Sequence, residues 1–566
     1  MQREELPAAG DHDGAGGPVK SPDVAGETGN TLAAAGETGK SRWGVSRAGT
    51  AVAIMLLLFL GLRLTGSVGG GSAHHRKSVS GSDSSLNNDS LQQLLGTDVQ
   101  AKTAFLMSYA TPGGVVKPDP KFLRDALRSA EALDVRTHNS PSAARRVMVL
   151  RSLLGLKPDE MIKRTYLPLN AFTKDLPATV SPEEKARFRS QGRAWQVVVS
   201  HKASPKQYAE AARTIGDTPG IGWWRWPSLM VVQSASGEMS EANQHAAAAR
   251  DRALMPILGI IGLILLKLGL GVLGAVLLTV GIVATVHRFK GDSVSHFYGL
   301  WRYEPGPATQ SGLRLTARDL LCVFVTYLFV SEILSVLLGG FSGFGPDHAW
   351  KFSGALTPYT SAIKAMSAER RAVLNAELSA VGYIVSALPS FGVLVLLARY
   401  RGASLSEVGW TKRQSFINVI YGIAGFGIST PVMLIVAFIV QRLFKSAPDP
   451  SNPVIPDLVQ SPSMLATTII ILLAVACAPV VEELLFRGAL YHGVRLRLGV
   501  WPAIVISGLV FGMIHPVGIA EKLELSSLGM VFAWMAETRK SLVPSMVAHA
   551  LNNGMSTALL LLALKG

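Results

Sequence analysis

The chain contains 566 residues, of which 48% are hydrophobic, and it carries a formal net charge of +15. Repeated apolar runs near the length that crosses a bilayer exclude a single soluble domain and indicate a polytopic membrane protein with a soluble part. Much of the Lys and Arg lies in short loops between these runs, where it orients helices, so the charge does not point to nucleic acid. The two cysteines, Cys322 and Cys477, lie in apolar segments and give neither a disulfide framework nor a cysteine-based metal site.

The N-terminal region has three parts. Residues 1–48 are small, polar and charged, which predicts a disordered tail; a phosphate-loop-like stretch at 34–41 lies between non-apolar flanks and is interpreted as low-complexity sequence. Residues 49–66 are predicted to be an uncleaved signal-anchor helix rather than a cleaved signal peptide, because the charged leader before them is long. Residues 67–88 have the composition of a linker.

Residues 89–252 are predicted to form a small α+β domain. Its strands are predicted at Trp195–Val199 and Leu229–Val232, which are rich in β-branched and aromatic residues. The Trp cluster at 223, 224 and 226 has two interpretations, an interfacial or peptide-binding surface and ordinary core packing. At least four helices are predicted to begin where a capping residue precedes a proline, at Asp119-Pro120, Ser140-Pro141, Ser181-Pro182 and Ser204-Pro205.

Residues 253–566 contain the membrane part of the chain. Loop charge alternates consistently if the N-terminus is cytoplasmic, which makes the domain at 89–252 extracytoplasmic. The first segment is long enough for one tilted helix and rich enough in glycine to contain a break. Eight apolar segments are predicted, at 254–286, 317–342, 379–398, 415–444, 465–490, 501–515, 519–536 and 541–564.

Two carboxylates and a guanidinium, from Glu482, Glu483 and Arg487, close the apolar run from Leu465 to Val481. Each ionisable group near a bilayer centre costs roughly 2.5 to 3.5 kcal/mol, so a functional site is the default hypothesis. On a helix Glu483 and Arg487 have the spacing of an ion pair, whereas Glu482 points about 100° away and is free to act as a general base on water. The alternative is an ion-pair cluster that only holds helices together. This motif alone favours neither the functional site nor the structural cluster.

Two more helices carry polar pairs at the same four-residue spacing. Phe511 precedes His515, and His549 precedes Asn553, so each pair covers one helix face. Imidazole and carboxamide groups inside a membrane need partners. A lone membrane histidine is more often a packing residue, but three polar helices in one quarter of the chain favour a site.

The motifs EExxxR, FxxxH and HxxxN together resemble those of the CPBP family of intramembrane endopeptidases, which includes the type II CAAX prenyl endopeptidases and bacteriocin-immunity relatives. The resemblance covers 465–564 by motif and 253–566 by helix arrangement, and it does not extend to the tail or the soluble domain. The predicted fold is therefore an all-α polytopic membrane bundle of about eight core helices plus the N-terminal anchor helix, with the α+β domain outside.

The resemblance also implies roles for these residues. Glu482 and His515 would activate a water for attack on a peptide carbonyl, and His549 and Asn553 would stabilise the oxyanion. Glu483, Arg487 and Phe511 would support the site. Zinc bound by Glu482, His515 and His549 is the alternative. We favour a metal-free mechanism with no cofactor because the chain has no HExxH helix and because Asn553 is a poor zinc ligand and a good oxyanion donor.

The expected substrate is a membrane-associated protein or peptide, processed as a CAAX sequence is, in contact with the lipid bilayer. An extracytoplasmic partner of residues 89–252 is a further expectation. Two alternatives from other classes remain, a proton-coupled transporter and a catalytically inactive scaffold. An internal inverted repeat would favour a transporter, and none is visible in the sequence.

One geometric difficulty accompanies this hypothesis. Counted from the ends of the predicted segments, Glu482 lies about 26 Å, His515 about 21 Å and His549 about 12 Å along its helix. Straight helices would not bring these side chains together. Helix breaks at Pro479 and Pro516, or a Glu482 helix that continues beyond its predicted end, would remove the difficulty.

Overall fold

The computed structural model describes residues 88–111, 114–137, 141–156, 182–200, 202–218, 221–289, 314–342, 368–411, 415–443, 463–515 and 517–565. The predicted tail, the signal anchor and nearly all of the linker lie outside the described residues.

The soluble region is helical in its described part. A single antiparallel hairpin of two-residue strands, β1 (Tyr109–Ala110) and β2 (Val116–Lys117), joins the first two helices. The helices are α1 (Asn88–Leu106), α2 (Pro120–Thr137), α3 (Pro141–Leu153), α4 (Pro182–Ser200), α5 (Pro205–Gly216) and α6 (Arg225–Ser236).

The predicted helix starts are confirmed, because α2, α3, α4 and α5 each begin at the expected proline. Proline suits a first helical position, where its missing N–H has no intrahelical partner to lose. At α5 the Ser204 hydroxyl and the Gln207 side chain form a reciprocal capping box.

The two predicted strands are wrong, and the α+β class of this region is not confirmed by its described residues. Trp195–Val199 lies in α4, and Leu229–Val232 lies in α6. Trp195 and Val232 are buried in the core shared by these helices. Packing of a helix face therefore outweighs the modest β preference of these side chains.

The core interpretation of the Trp cluster holds for two of its members. Trp223 and Trp224 are buried. The indole of Trp223 donates to the Ala249 carbonyl at 2.8 Å, and that of Trp224 donates to Asp98 Oδ1 at 2.8 Å. Both polar tips thus have buried partners, as large indoles in a core require.

Every predicted apolar segment coincides with a helix, and the prediction of a helical membrane protein is confirmed. The first segment, 254–286, lies within one helix of 51 residues, so it forms one long helix and not two helices separated by a break. The helices are α7 (Met239–Phe289), α8 (Ala317–Ser342), α9 (Ala368–Arg401), α10 (Ser415–Leu443), α11 (Met464–Leu498), α12 (Val500–Met513), α13 (Ile519–Arg539) and α14 (Val543–Lys565).

The predicted number of eight membrane-spanning helices is not confirmed. Among the described residues, five helices are long and apolar enough to cross a bilayer, and α12 is a shorter apolar helix. The five stretches are Met239–Val283, Ala376–Arg401, Ser415–Val440, Met464–Leu498 and Val543–Ala563.

Glycines allow two pairs of these helices to pack closely. A Cβ on Gly274 of α7 would lie 2.2 Å from the Gly427 carbonyl oxygen of α10. A Cβ on Gly512 of α12 would lie 2.2 Å from the Lys522 carbonyl oxygen of α13. Small residues at such crossings let backbones approach, which is the usual way that membrane helices pack.

Candidate active site

Helix α11 changes its winding on both sides of Glu482 and Glu483. Residues Leu473–Cys477 and Leu484–Tyr491 are π-helical, and the α-helical turn Ala478–Glu483 lies between them. A π turn frees backbone groups from their usual partners and is frequent at functional sites. The two carboxylates therefore lie on a short regular turn between two locally widened stretches.

Side chains from other helices bond carbonyl oxygens of the π segments. Asn553 Nδ2 of α14 donates to the Ala474 oxygen at 2.9 Å, and the Ser507 hydroxyl of α12 donates to the Phe486 oxygen at 3.1 Å. Inside a bilayer such groups must be bonded within the protein. Asn553 thus contacts the α11 backbone, with one amide hydrogen remaining for another acceptor.

Glu483 is the centre of a buried charge cluster. Its side chain is fully buried, and Oε1 lies 2.9 Å from Arg487 Nη1 and 3.1 Å from His549 Nδ1. One carboxylate oxygen of Glu483 therefore contacts both Arg487 on the same helix and His549 on α14. The ion pair predicted from the four-residue spacing is present.

Arg487 is enclosed by three aromatic rings. The guanidinium carbon lies 4.5 Å from the ring centroid of Phe511, 5.2 Å from that of Phe532 and 5.7 Å from that of Phe486. Nη2 also donates to the Gly529 carbonyl of α13 at 3.0 Å. Planar stacking and fork-like hydrogen bonding make arginine suited to this environment.

Glu482 is bound differently from its neighbour. Its side chain is 15% exposed, and Oε2 lies 3.8 Å from His549 Nε2. Oε1 accepts a hydrogen bond of 3.2 Å from the hydroxyl of Tyr383 on α9. The sequence analysis missed Tyr383 because this residue lies in an apolar segment outside all three motifs, and only its phenol among hydrocarbon neighbours distinguishes it.

His515 lies just after the end of α12 and beside Phe511. Its Nδ1 is 2.7 Å from the Phe511 carbonyl oxygen, so this nitrogen carries the proton and Nε2 is left as the acceptor of the neutral ring. The Phe511 ring centroid is 4.9 Å from that of His515 and 5.8 Å from that of His549. Phe511 thus separates and orients the two imidazoles, and in the described part of the chain His515 has no direct hydrogen bond to Glu482.

The geometric difficulty disappears because the helices do not end at a common level. Helix α11 continues to Leu498, beyond its predicted end, and α12 begins after a turn at Gly499 with φ of +86°. From this turn Glu482 lies about 24 Å along α11 and His515 about 22 Å along α12. These two residues therefore lie at nearly the same level.

The α13–α14 turn packs against α11 before the C-terminal end of that helix. Leu542 in that turn packs beside Gly488, which is about 15 Å from the end of α11. His549 is a further 10 Å or about two turns along α14 from Leu542, and this brings it level with Glu482. The 3.8 Å distance between Glu482 and His549 follows from this stagger.

The ligands of the zinc alternative, Glu482, His515 and His549, do not form a three-residue metal site among the described residues. Among the described residues, no group of three His, Cys, Asp or Glu side chains is arranged to hold a metal ion. His549 Nδ1 is bonded to Glu483, and Glu482 Oε1 is bonded to Tyr383.

Fold and site define a class, that of helical integral membrane proteins with a buried acid–base cluster between their helices. Residues 464–555 match the family described as type II CAAX prenyl endopeptidase Rce1-like. This segment is similar to an Rce1-like domain, and the match supports the resemblance to the CPBP family of intramembrane proteases. No curated protein and no solved structure matches the chain.

Proposed function

We propose that this protein is an intramembrane endopeptidase that hydrolyses a peptide bond of a membrane-associated protein or peptide without a metal. The observation that carries this proposal is that Glu482 lies close to His549 Nε2, while Glu483 contacts the other ring nitrogen, Nδ1, and so holds the imidazole in place. The Rce1-like match over 464–555 supports a CAAX-type reaction.

Glu482 Oε2 is the proposed base. It takes one proton from a water whose oxygen attacks the scissile carbonyl carbon, and the same proton then passes to the leaving amine as the C–N bond breaks. The resemblance assigns His515 to the same water, and Nε2 is the nitrogen that its backbone contact leaves to accept. Closure of the site around substrate would have to bring this nitrogen to the water.

His549 and Asn553 are the proposed oxyanion donors. The Glu483 carboxylate only accepts hydrogen bonds, so the proton of the Glu483–His549 contact lies on Nδ1. With Nδ1 protonated, His549 Nε2 donates to an oxyanion in the doubly protonated form of the ring. The second amide hydrogen of Asn553 is the other proposed donor.

Further parts of the proposal concern orientation and partners. The loop charges support a cytoplasmic N-terminus with residues 89–252 outside, and this region would bind an extracytoplasmic partner. Cysteine accessibility labelling in intact cells, at single cysteines placed in the soluble region and at the exposed positions 497 and 498 of the turn between α11 and α12, tests the orientation. Labelling of the turn but not of the soluble region would contradict it.

The decisive experiment compares membranes that contain wild-type protein, Glu482→Gln or Glu377→Gln. Glu377 is an exposed carboxylate on α9, so its variant is a matched control for loss of a membrane-helix charge. Quantitative proteomics of new peptide termini should find cleavage products with wild type and with Glu377→Gln, and none with Glu482→Gln. Equal products from folded Glu482→Gln protein would refute the mechanism, and no products from wild type beyond those of membranes without the protein would favour a scaffold or transporter.

Chelation separates the metal-free mechanism from the zinc alternative. We expect the cleavage rate to remain within about twofold of its starting value after dialysis against a chelator, because no proposed step uses a metal. Loss of cleavage that added zinc restores would overturn this part of the proposal while leaving the peptidase activity in place.

A further inference from the structure

A tyrosine outside the three motifs contacts the proposed base. Tyr383 lies on α9, and its hydroxyl oxygen is 3.2 Å from Glu482 Oε1 and 3.4 Å from the Ala478 carbonyl oxygen. A phenol has one proton to donate, and a bond to a charged carboxylate is stronger than one to a neutral carbonyl. Glu482 is therefore its main acceptor.

This hydrogen bond makes the two oxygens of Glu482 different. Oε1 is bonded to Tyr383, whereas Oε2 is buried with no hydrogen-bond partner among the described residues. Oε2 lies 3.8 Å from His549 Nε2, a separation that suits two groups acting on a shared third atom. Free rotation of the carboxylate would exchange these oxygens, and the bond from α9 opposes that rotation.

We propose that Tyr383 is a positioning residue that holds Glu482 with Oε2 directed at the reacting water. The inference rests on the proposed peptidase function and adds α9 to the site, which the motifs confine to α11, α12 and α14. Tyr383 transfers no proton and contacts no reacting atom. It acts only through the orientation of Glu482.

The test removes only the hydroxyl, in the variant Tyr383→Phe. The full chain is reconstituted in liposomes and assayed with a fluorogenic prenylated peptide ending in a CAAX sequence, or with a peptide spanning a cleavage site found by proteomics. Loss of one hydrogen bond to a charged group corresponds to a decrease of about 10- to 100-fold in kcat. KM should stay within about twofold of wild type, because Tyr383 does not bind substrate.

Tyr400→Phe is the matched control, because Tyr400 lies on the same helix and is 83% exposed. Its kcat should equal that of wild type. An unchanged kcat in Tyr383→Phe, with Glu482→Gln inactive, would overturn the role of Tyr383 and leave the proposed function intact. Activity in Glu482→Gln would instead overturn the role of Glu482 as the base, and absence of cleavage by wild type would overturn the proposed function itself.

A second background excludes a general effect on folding. In Glu482→Asp the shorter carboxylate withdraws from α9, so adding Tyr383→Phe should reduce the remaining kcat by less than about threefold. A full-sized loss in this background, or a raised KM with normal kcat in the single variant, would show that the hydroxyl acts independently of Glu482 and would refute the proposal.

Discussion

Replacing Arg487 by methionine tests whether the buried ion pair behaves as a unit. Arg487 and Glu483 both have fully buried side chains. The single change Arg487→Met leaves the Glu483 carboxylate in the apolar core with His549 as its remaining partner. Breaking a buried pair in this way costs about 3–5 kcal/mol, a large part of an ordinary free energy of unfolding.

The reciprocal variant Glu483→Gln should cost a similar amount, because it leaves the guanidinium without its carboxylate among three aromatic rings. The double variant Glu483→Gln/Arg487→Met removes both charges and needs no compensation. We therefore expect it to lie within about 2 kcal/mol of wild type, which gives a coupling energy of at least about 4 kcal/mol.

The assay is reversible unfolding in mixed micelles, followed by tryptophan fluorescence, with cleavage measured on the same preparations. Arg128→Met is the control, because Arg128 forms an exposed pair with Asp125 and should change stability by less than about 1 kcal/mol. Additive single and double effects would refute the reasoning. A double variant as stable as wild type but inactive would show that the pair of Glu483 and Arg487 is needed for the reaction and not only for stability.

Two other predictions concern helix ends and helix crossings. Lys102 Nζ of α1 donates to the Ala563 carbonyl at 2.8 Å, and burial lowers the pKa of this ammonium to about 8 from 10.5. Between these two pKa values the unfolded chain binds more protons than the folded chain, so the free energy of unfolding of wild type should rise by about 3 kcal/mol as the pH increases through that window. Lys102→Met should lack this rise, and equal pH slopes in the two proteins would contradict the prediction. Gly274→Ala should lower the free energy of unfolding by about 1–3 kcal/mol, because the new Cβ would clash with α10. Gly262→Ala should not lower it, because no atom lies within 4 Å of its new Cβ. Equal effects of the two substitutions would refute the close-packing interpretation.

Features that depend on one helix were predictable from the sequence. The ion pair between Glu483 and Arg487 needs only a four-residue spacing with the acid first, and the helix starts at prolines need only capping rules. The strands predicted at Trp195–Val199 and Leu229–Val232 failed because their side chains pack in a helical core, and no local pattern contains that information.

Features that depend on several helices were not predictable. The level of His549 relative to Glu482 depends on how far α11 extends beyond the α13–α14 turn, and hydropathy gives only approximate ends. The contact of Tyr383 with Glu482 joins residues 99 positions apart. The three motifs identified the polar helices, but the partners of each polar atom required the packed structure.

The two π-helical segments affect how this chain should be aligned with its relatives. A π segment contains one residue more than an α-helix of the same path, so each resembles a single-residue insertion within an otherwise regular helix. A relative that is α-helical over 473–477 or 484–491 would need a one-residue gap there to bring its acidic pair and its later arginine into register. The number of residues between motifs is therefore a weaker criterion of kinship here than the direction in which the side chains point.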